Sequence, residues 1–475
     1  MDKFIRRIVD AFLQGVEEVM AALCEGMSAP EAEMMIKERC DGLAVVMYSE
    51  YLEEVDRQVR KDLEGRKGWV VNRRRDSRSI LSIMGNVEYE RTYYHNEGIG
   101  EYRHLSDGVC GITPHARITP LFRAKLVENS CEMSYGKAGE LTGRCAVSDQ
   151  TVMNSLRKLR LDLPTSDDGS PAKEKRKVKR LYVEADEDHL SGNRNKRRRL
   201  EPKLVYVYEG RKRIGRGRTV LVHAKYFGGM YKDPERLWWE VYWYIERTYD
   251  IDSIEIIFVT GDGANWITFG AEFMMNGVRL PDLFHLRKYI VAACHGDKEL
   301  MGKLWKAVDS AERSKTFEIL DAAGSTTVTK GQAKSVERCR TYISNMWGAI
   351  ENRRRYYQEA VGCSAEGHVS HIYSDRMSSR PMSWSEEGAN IMAKLRVKKA
   401  NGESVSACAL PSTAPQFESI QIDQDKAQQL CSEVKAMVRT SGRCLCNQLG
   451  NVPVLKGNAS FTARVFRELR DSIAI

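Results

Sequence analysis

The pattern of hydrophobic and polar positions changes its period along the chain. Within the first 66 residues, apolar side chains recur every three or four positions, as at Phe4, Ile8 and Phe12, and this period predicts helices. Residues 78–104 instead alternate β-branched and aromatic residues with polar ones around a Gly-Asn pair, which predicts a β-hairpin. No uncharged apolar stretch of about 18 residues occurs, so we expect no membrane-spanning helix.

Residues 134–159 carry the pattern of two short helices joined by a tight turn. Ala138 supplies a small residue in the first helix, Gly143 allows a turn, and Ser148 can cap the second helix. A helix-turn-helix needs this combination for close packing at its bend, although a generic helical hairpin fits the pattern equally well. The residues expected to contact DNA from the second helix are Ser148, Gln150, Thr151, Asn154 and Arg157.

A polar linker at residues 166–178 precedes a distinctive order of elements, namely three strands, a helix, a strand, a helix and a strand. The five strands are predicted at residues 181–189, 204–208, 219–226, 253–260 and 278–285. This is the order of a ribonuclease-H-like core, a mixed sheet with flanking helices. The first and fourth strands lie side by side in that fold, so we expect their ends to meet.

The remaining chain completes an α+β multidomain architecture. Residues 297–358 have a helical pattern, with a Gly/Thr loop near residues 322–330, and predict an all-α insertion after the fifth strand. The predicted regions are a helical segment at 1–68, a β-hairpin at 69–108, a helix-turn-helix region at 109–165, the linker at 166–178, the core at 179–296 and 359–400, and a region of unknown role at 401–475.

Acidic residues lie at the ends of the first and fourth predicted strands. Glu184, Asp186 and Asp188 alternate with other residues, so all three share one face of the first strand. Asp262 follows the fourth strand in the sequence FVTGDGANWI, where Asp-Gly is also typical of an ordinary turn. Like charges concentrated on a buried strand need a neutralising cation. Side-chain parity does not choose among the first three acids, and we favour Asp186.

A metal site for phosphodiester chemistry needs about three carboxylates around Mg²⁺ or Mn²⁺, which prefer oxygen ligands. Asp186 and Asp262 supply two of them. The candidates for the third are Glu366, Asp375, Glu386 and Glu387. We favour Glu366, because a segment containing Gly362 leads into its predicted helix and two histidines follow it. None of the twelve cysteines forms a CxxC pair, so we expect no zinc site.

The charge distribution indicates a polyanionic partner. The chain carries a net charge of +9, whereas residues 171–218 alone contain seventeen Lys or Arg against seven Asp or Glu, a net charge of +10. A single charge run is usually a solvated surface, but this one brackets the acidic strand. Its basic loops at 194–199 and 211–218 are expected to contact backbone phosphates. The arginines in question are Arg197, Arg198, Arg199, Arg213 and Arg216.

Four segments of the chain stand out together, namely VEADEDH, TGDGANWI, LPDLFHLRKYI and GCSAEGHVSHIYSDRMSSRPMSW. They resemble the DDE transposases of bacterial insertion sequences, specifically the ISLre-type family, which is related to the Mutator-like transposases. The resemblance extends from about residue 80 to about residue 397. It implies that Asp186, Asp262 and Glu366 form a catalytic acidic triad that binds Mg²⁺ or Mn²⁺.

The resemblance also points to auxiliary residues. Related families carry a C-x-x-H element between the second acid and the glutamate, and here Asp282 replaces the cysteine while His285 matches the histidine. A basic residue usually follows the glutamate by a turn or two, and Arg376 and Arg380 are the candidates for that place, with a looser match than His285. Asp188 remains a further auxiliary candidate next to the triad.

The expected activity is therefore metal-dependent DNA cleavage and strand transfer by a transposase. Its partners would be double-stranded DNA, as terminal inverted repeats and target DNA, and a second copy of the chain in a homodimer or higher oligomer. We expect a cytoplasmic protein associated with the nucleoid, since acids interrupt the apolar part of the first 20 residues. The alternatives are a DNA-binding regulator and a ribonuclease-H-like nuclease without strand-transfer activity.

Overall fold

A computed structural model describes most of the chain. The described residues are 3–24, 26–159, 161, 174–193, 199–327, 329–410, 432 and 436. They form two compact units, of which the first includes residues 3–123 and 141–146 and the second includes residues 124–140 and 147–410.

The first unit consists of helices and a three-stranded antiparallel sheet of order β1-β2-β3. Its elements are α1 (Lys3–Cys24), α2 (Ala29–Lys61), β1 (Val70–Ser82), β2 (Gly85–Asn96), β3 (Glu101–Arg103) and α3 (Leu105–Val109). The predicted helices and hairpin are confirmed. β1 begins at Val70 rather than near residue 78, because the arginine-rich segment before Ser77 also pairs with β2, across two irregularities. Leu52, Ile80 and Val87 are buried where the sheet meets α2.

Two short helices in the second unit match the predicted helical hairpin. After α4 (Pro120–Ser130), which contains the division between the units, they are α5 (Tyr135–Leu141) and α6 (Asp149–Arg157). Ser148 caps α6 as predicted, since its side chain accepts a hydrogen bond from the backbone N–H of Thr151. A Cβ at Gly139 would lie 2.2 Å from the carbonyl oxygen of Val147, so glycine permits this close approach.

A five-stranded mixed sheet forms the centre of the second unit, with the strand order β10-β7-β4-β11-β12. β4 is parallel to β11, and β11 is parallel to β12, whereas β7 is antiparallel to β4 and β10. The strands of this unit are β4 (Arg180–Glu187), β5 (Leu190–Ser191), β6 (Arg199–Leu200), β7 (Lys203–Tyr208), β8 (Gly210–Gly215), β9 (Arg218–Val222), β10 (Lys225–Gly229), β11 (Ile256–Gly261) and β12 (Gly277–Pro281). The predicted first and fourth strands are therefore neighbours, as expected.

Two predicted strand boundaries are wrong. The strand expected at residues 219–226 is two strands, separated at His223, whose φ of 51° is incompatible with continued extension. β9 pairs with β8 in a two-stranded ribbon, and only β10 enters the central sheet. The last strand ends at Pro281 instead of reaching residue 285, because the side chain of Asp282 caps the next helix at the N–H of Phe284.

The central sheet is buried on both faces. Leu181, Val183 and Ala185 of β4 point to a hydrophobic core that also contains Trp238 and Ile267. These last two residues belong to α7 (Pro234–Thr248) and α8 (Asn265–Phe273). The opposite face carries stacked rings such as Tyr182 on Tyr208. The predicted two-residue period of β4 is thus confirmed.

A helical region follows β12, and it begins at Leu283, before the start at residue 297 that was predicted for the insertion. Its helices are α9 (Leu283–Cys294), α10 (Lys298–Asp309), α11 (Arg313–Ser325), α12 (Lys330–Asn345) and α13 (Trp347–Arg355). They enclose a hydrophobic core of their own that includes Leu286, Cys339 and Trp347. The expected Gly/Thr interruption lies between α11 and α12.

The chain then forms a helix that carries Glu366. It begins as α14 (Ala365–Val369), continues through a π-helical turn at Ser370–Ser374 and ends as α15 (Asp375–Met377). α16 (Glu386–Ala400) follows and is capped by Ser385, whose side chain accepts a hydrogen bond from the N–H of Gly388. Short 3-10 turns lie at Ile251–Ser253 and Ser406–Ala409. Of the helices in the described residues, none combines the length and the apolar character that a membrane span requires.

Candidate active site

Three acids lie at equivalent positions at the carboxyl ends of adjacent parallel strands. Thr260 of β11 pairs with Glu184 of β4, so Asp262 lies beside Asp186 two residues further on. Gly261 pairs with Pro281 of β12, which places Asp282 on the other side of Asp262. Parallel strands align their carboxyl ends at one edge of a sheet, and this register explains why the acids converge.

The burial of Asp186 makes its charge costly. Its side chain is 7% exposed, and one of its oxygens accepts a 2.8 Å hydrogen bond from the backbone N–H of Glu187. Burial is the main cause that raises the pKa of Asp186 to about 7, and the charges of Asp262 and Glu366 raise it as well. The three residues of the predicted triad therefore share one electrostatic environment.

Asp262 lies in a turn and also faces this environment. Its Oδ1 accepts a 2.9 Å hydrogen bond from the backbone N–H of Ala264, and Gly263 has a φ of +99°. The Asp-Gly turn considered from the sequence thus exists. It places Asp262 at the start of α8 with a charge that acts on Asp186. Asp262 can therefore belong both to an Asp-Gly turn and to the acidic site.

The other two acids of β4 are engaged by protein donors. Glu184 is 1% exposed and accepts hydrogen bonds from Ser364, whose N–H lies at 2.5 Å and whose hydroxyl lies at 3.0 Å. Asp188 follows β4, and its Oδ2 accepts hydrogen bonds from Ser374 at 3.1 Å and Ser378 at 2.9 Å. No side-chain donor within the described ranges contacts Asp186 in this way. The geometry therefore favours Asp186 as the acid left available for a metal.

The four candidates for the third acid differ in their surroundings. Glu386 lies 4.0 Å from Lys232, and Glu387 forms a 3.1 Å salt bridge with Arg157. Asp375 is exposed in the last part of the helix. Glu366 is exposed in the first turn of α14, and it is the member of the set whose charge acts on Asp186.

Asp282 and His285 form a pair beside the acids. Asp282 is 2% exposed, and its Oδ2 lies 2.7 Å from Nδ1 of His285 in the first turn of α9. This hydrogen bond raises the pKa of His285, and the charges of Asp186 and Asp262 act in the same direction. Asp282 uses Nδ1, so Nε2 is the ring nitrogen that remains for other partners.

Tyr342 and Arg279 also interact electrostatically with the candidate acids, and no sequence pattern indicated either residue. Burial raises the pKa of Tyr342 on α12, with further contributions from Asp282 and Asp262. Its buried hydroxyl has no hydrogen-bond partner among the described residues. Burial lowers the pKa of Arg279 on β12, while the charge of Asp262 opposes this. Neither residue has a sequence signal, because a tyrosine in an apolar helix and an arginine in a strand are common.

Arg376 and two tryptophans serve packing. Arg376 is 6% exposed, its Nε donates to the carbonyl oxygen of Ser130 at 2.8 Å, and its guanidinium lies over the rings of Tyr135 and Trp384. Trp384 is buried, and so is Trp266, whose Nε1 donates to Glu187 at 2.8 Å. Contacts within the protein therefore occupy the Arg376 guanidinium, and a role at the reacting phosphate finds no support here.

The residues expected to contact DNA are mostly exposed. Gln150, Asn154 and Arg157 form one exposed stripe of α6, although Arg157 also pairs with Glu387. Ser148 and Thr151 serve the helix cap. The exposed arginines outside α6 are Arg199 on β6, Arg213 on β8 and Arg216 in the turn between β8 and β9. Arg197 and Arg198 lie outside the described residues.

A second group of possible metal ligands lies next to the triad. Within the described part of the chain, Glu187, His189 and Glu201 are the group whose ligand atoms all lie within 4.8 Å of one another. Glu187 already accepts hydrogen bonds from Lys203 at 2.8 Å and from Trp266. An ammonium at that distance opposes a cation, and His189 and Glu201 are exposed. We therefore favour the triad as the metal site. The ligand oxygens of the triad do not all lie within 4.8 Å of one another.

The triad fits a divalent cation by its chemistry. Asp186, Asp262 and Glu366 offer only carboxylate oxygens, the ligands that Mg²⁺ and Mn²⁺ prefer. Two such ions lie roughly 3.5–4 Å apart in known sites, so carboxylates on opposite sides of them are not in mutual contact. A cation would also remove the repulsion that raises the pKa of Asp186.

The fold and the site define an α+β protein with a carboxylate site at the ends of three parallel strands. The chain belongs to the family described as "Uncharacterised protein family (UPF0236)", whose model matches residues 22–411. UPF0236 protein TTE2489 of Caldanaerobacter subterraneus subsp. tengcongensis is 35% identical over 397 residues, which cover 82% of this chain and 83% of that protein.

Other relatives carry the same family name. One protein of the same Caldanaerobacter strain is 35% identical over 383 residues, covering 80% of this chain and 79% of its own length. Its printed name joins many designations, from TTE0033 to TTE2212, so the family has several copies in one genome. The "UPF0236 protein in vanSb 3'region" of Streptococcus gallolyticus is 26% identical over 362 residues, which cover 74% of this chain and 78% of that protein.

Proposed function

We propose that the chain is a DDE-type transposase that cleaves DNA and joins its ends to target DNA with the help of Mg²⁺ or Mn²⁺. The observation that carries the proposal is the convergence of Asp186, Asp262 and Glu366, in which burial and the other two carboxylates raise the pKa of Asp186 to about 7. The resemblance to DDE transposases supports the choice of the same three residues.

The topology supports a ribonuclease-H-like identity for the central sheet. Numbered along the chain, its five strands have the order 3-2-1-4-5, and only the second runs antiparallel to its neighbours. The first acid lies near the end of the first strand and the second acid comes directly after the fourth strand, as expected for that fold. A helix after the insertion brings the third acid.

The three carboxylates would hold the metal ions, which supply activation of a water or 3′-hydroxyl and stabilisation of the leaving oxygen. Other residues of the site would contribute a fixed position and a charge next to the three carboxylates. Asp282 orients the His285 ring through Nδ1, and the raised pKa of His285 favours a positive charge beside the acids. A protonated His285 would attract the phosphate of the scissile bond.

The β8–β9 ribbon offers a surface for the DNA backbone. Lys212, Arg213, Arg216 and Arg218 are exposed on it, and acidic residues are absent between Gly210 and Val222. A two-stranded ribbon is narrow enough to enter the major groove of B-form DNA. The exposed stripe of α6 is a second candidate surface. Because two element ends must be held together, we expect a dimer or a higher oligomer of the chain.

The relatives add indirect support. Several copies of one family in a single genome are what a mobile element produces. This support comes from copy number alone.

The proposal is tested by incubating the purified chain and Mg²⁺ with a fragment that contains its gene and native flanking DNA, together with a target plasmid. We expect cleavage at both ends of the element and joined products whose junctions carry short target duplications. Cleavage without joining would identify a nuclease of this fold. Specific binding without cleavage would identify a DNA-binding regulator.

A further inference from the structure

We propose that Glu184 is a positioning residue of the metal site, which fixes the helix of Glu366 against the strand of Asp186. This role rests on the proposed function of the triad. Glu184 would bind neither metal nor DNA, and would act through Ser364, the residue that precedes α14.

The hydrogen bonds of Glu184 form a buried bridge between two separate segments. On the sheet side, its two oxygens accept from the hydroxyls of Tyr206 and Tyr208 of β7. On the helix side, its Oε2 accepts from the N–H of Ser364 at 2.5 Å and from the hydroxyl of Ser364 at 3.0 Å. A buried carboxylate is costly unless donors satisfy it, and four donors do so here.

Arg211 closes the bridge with a positive charge. Its Nη2 lies 2.9 Å from Glu184, 3.2 Å from the hydroxyl of Ser364 and within hydrogen-bond distance of the carbonyl oxygen of Gly362. Both residues of the ion pair thus contact the segment that enters α14. Arg211 is the second residue of β8, so the basic β8–β9 ribbon begins next to this ion pair.

The spacing along both segments connects this bridge to the acids. Glu184 precedes Asp186 by two residues on the same face of β4, and Ser364 precedes Glu366 by two residues. A displacement of Ser364 relative to Glu184 therefore moves Glu366 relative to Asp186. Partners that orient metal ligands typically change metal affinity or activity about 10–100-fold when they are mutated.

The bridge also explains the sequence of β4. A hydrophobic residue at position 184 would pack the sheet face without needing four donors. The carboxylate gains directional bonds to Ser364, which an apolar side chain cannot make. A carboxylate at position 184 is therefore the expected choice if the site depends on the position of α14.

The test measures Mn²⁺ binding to the full chain without DNA, by electron paramagnetic resonance of free Mn²⁺. Glu184→Gln keeps the size of the side chain but removes its charge, and we expect it to weaken Mn²⁺ binding about 10–100-fold. Ser364→Ala removes only the hydroxyl, and we expect a smaller loss of several-fold. Glu209→Gln is the matched control, because Glu209 pairs with Arg176 and His223 and does not contact this segment. Its affinity should equal that of the wild type.

A second measurement does not depend on the metal. Hydrogen exchange of the metal-free chain should be faster in the peptide containing residues 364–369 for Glu184→Gln than for the wild type, with the β11 peptide unchanged. If Glu184→Gln fails to fold, the same two measurements on Ser364→Ala test the positioning role.

Asp262→Asn separates the two proposals. If Asp262→Asn weakens Mn²⁺ binding and neither Glu184→Gln nor Ser364→Ala does so, the positioning role is wrong and the triad stands. If Asp262→Asn leaves Mn²⁺ binding unchanged, the proposed metal site itself is wrong. A loss that is equal in Glu184→Gln and Glu209→Gln would show a general structural effect and would also overturn the positioning role.

Discussion

Asp186 and Asp262 occupy facing positions just beyond the paired residues of two adjacent parallel strands, β4 and β11. The charge of Asp262 acts on Asp186, which is almost fully buried. A protein without a bound cation gains no stability from such a pair, because both burial and like charge oppose ionisation. The energetic cost of the pair can be measured.

Removing the buried charge should stabilise the metal-free chain. At pH 8 we expect Asp186→Asn to raise the free energy of unfolding by on the order of 1–3 kcal/mol, because the raised pKa makes the ionised form unfavourable in the folded state. The same variant should lose the increase in melting temperature that saturating Mn²⁺ gives the wild type. Thermal unfolding with EDTA and with Mn²⁺ measures both effects.

Asp188→Asn provides the contrast on the same strand end. Its side chain binds Ser374 and Ser378, so we expect a loss of stability of about 1 kcal/mol, with the Mn²⁺ effect retained. The assignment of Asp186 as a metal ligand is contradicted if Asp188→Asn, and not Asp186→Asn, abolishes the response to Mn²⁺.

The Asp282–His285 pair can be separated from the helix cap that Asp282 also forms. Asparagine caps helices about as well as aspartate, so Asp282→Asn should keep the cap at the N–H of Phe284 and lose only the pair with His285. It removes the charge that raises the pKa of His285, and we expect the single-turnover rate of DNA cleavage to fall about tenfold or more. Unchanged cleavage in Asp282→Asn would show that the pair is purely structural.

The ribbon should contribute affinity that depends on salt. We expect the double variant Arg213→Ala, Arg216→Ala to bind DNA more weakly, and about equally so for all DNA sequences. The slope of log K against log salt concentration should become shallower by about one for each lost phosphate contact. Fluorescence anisotropy at several salt concentrations measures the slope. Lys303→Ala, an exposed cation on α10 that pairs with Glu299, is the control and should leave the slope unchanged.

Two glycines in helices of the second unit should respond oppositely to alanine. A Cβ at Gly270 of α8 would lie 2.0 Å from the ring of Trp238, so Gly270→Ala should destabilise the fold by about 1–3 kcal/mol. Gly302 of α10 has no atom within 4 Å of its Cβ position, and Gly302→Ala should stabilise the chain by up to about 1 kcal/mol. Urea unfolding measures both. Equal effects would contradict the packing of α7 on α8.

Much of the fold was predictable because local patterns report on it directly. The period of β4, the order of strands and helices, the cap at Ser148 and the helical character of the chain after β12 all follow from hydrophobic spacing and capping residues. The strand end at Pro281 was missed, because an apolar sequence continues into the first turn of α9 and hides the boundary.

The candidate site was predictable in part. Asp262 and the region of Glu366 had sequence signals, whereas the choice among Glu184, Asp186 and Asp188 did not. That choice depends on donors such as Ser364 and Ser374, which lie far away in sequence. The hydroxyl of Tyr342, which has no partner in the part of the chain that the structure describes, was unpredictable for the same reason, since only tertiary packing brings α12 to the acids.

The most direct test of the central claim compares Asp262→Asn with the wild type on DNA that carries both ends of the element. The account predicts that Asp262→Asn forms no joined product in Mg²⁺ and binds the ends with unchanged affinity, because the substitution removes one metal-binding oxygen and no phosphate contact. Strand transfer at the wild-type rate by Asp262→Asn would contradict it.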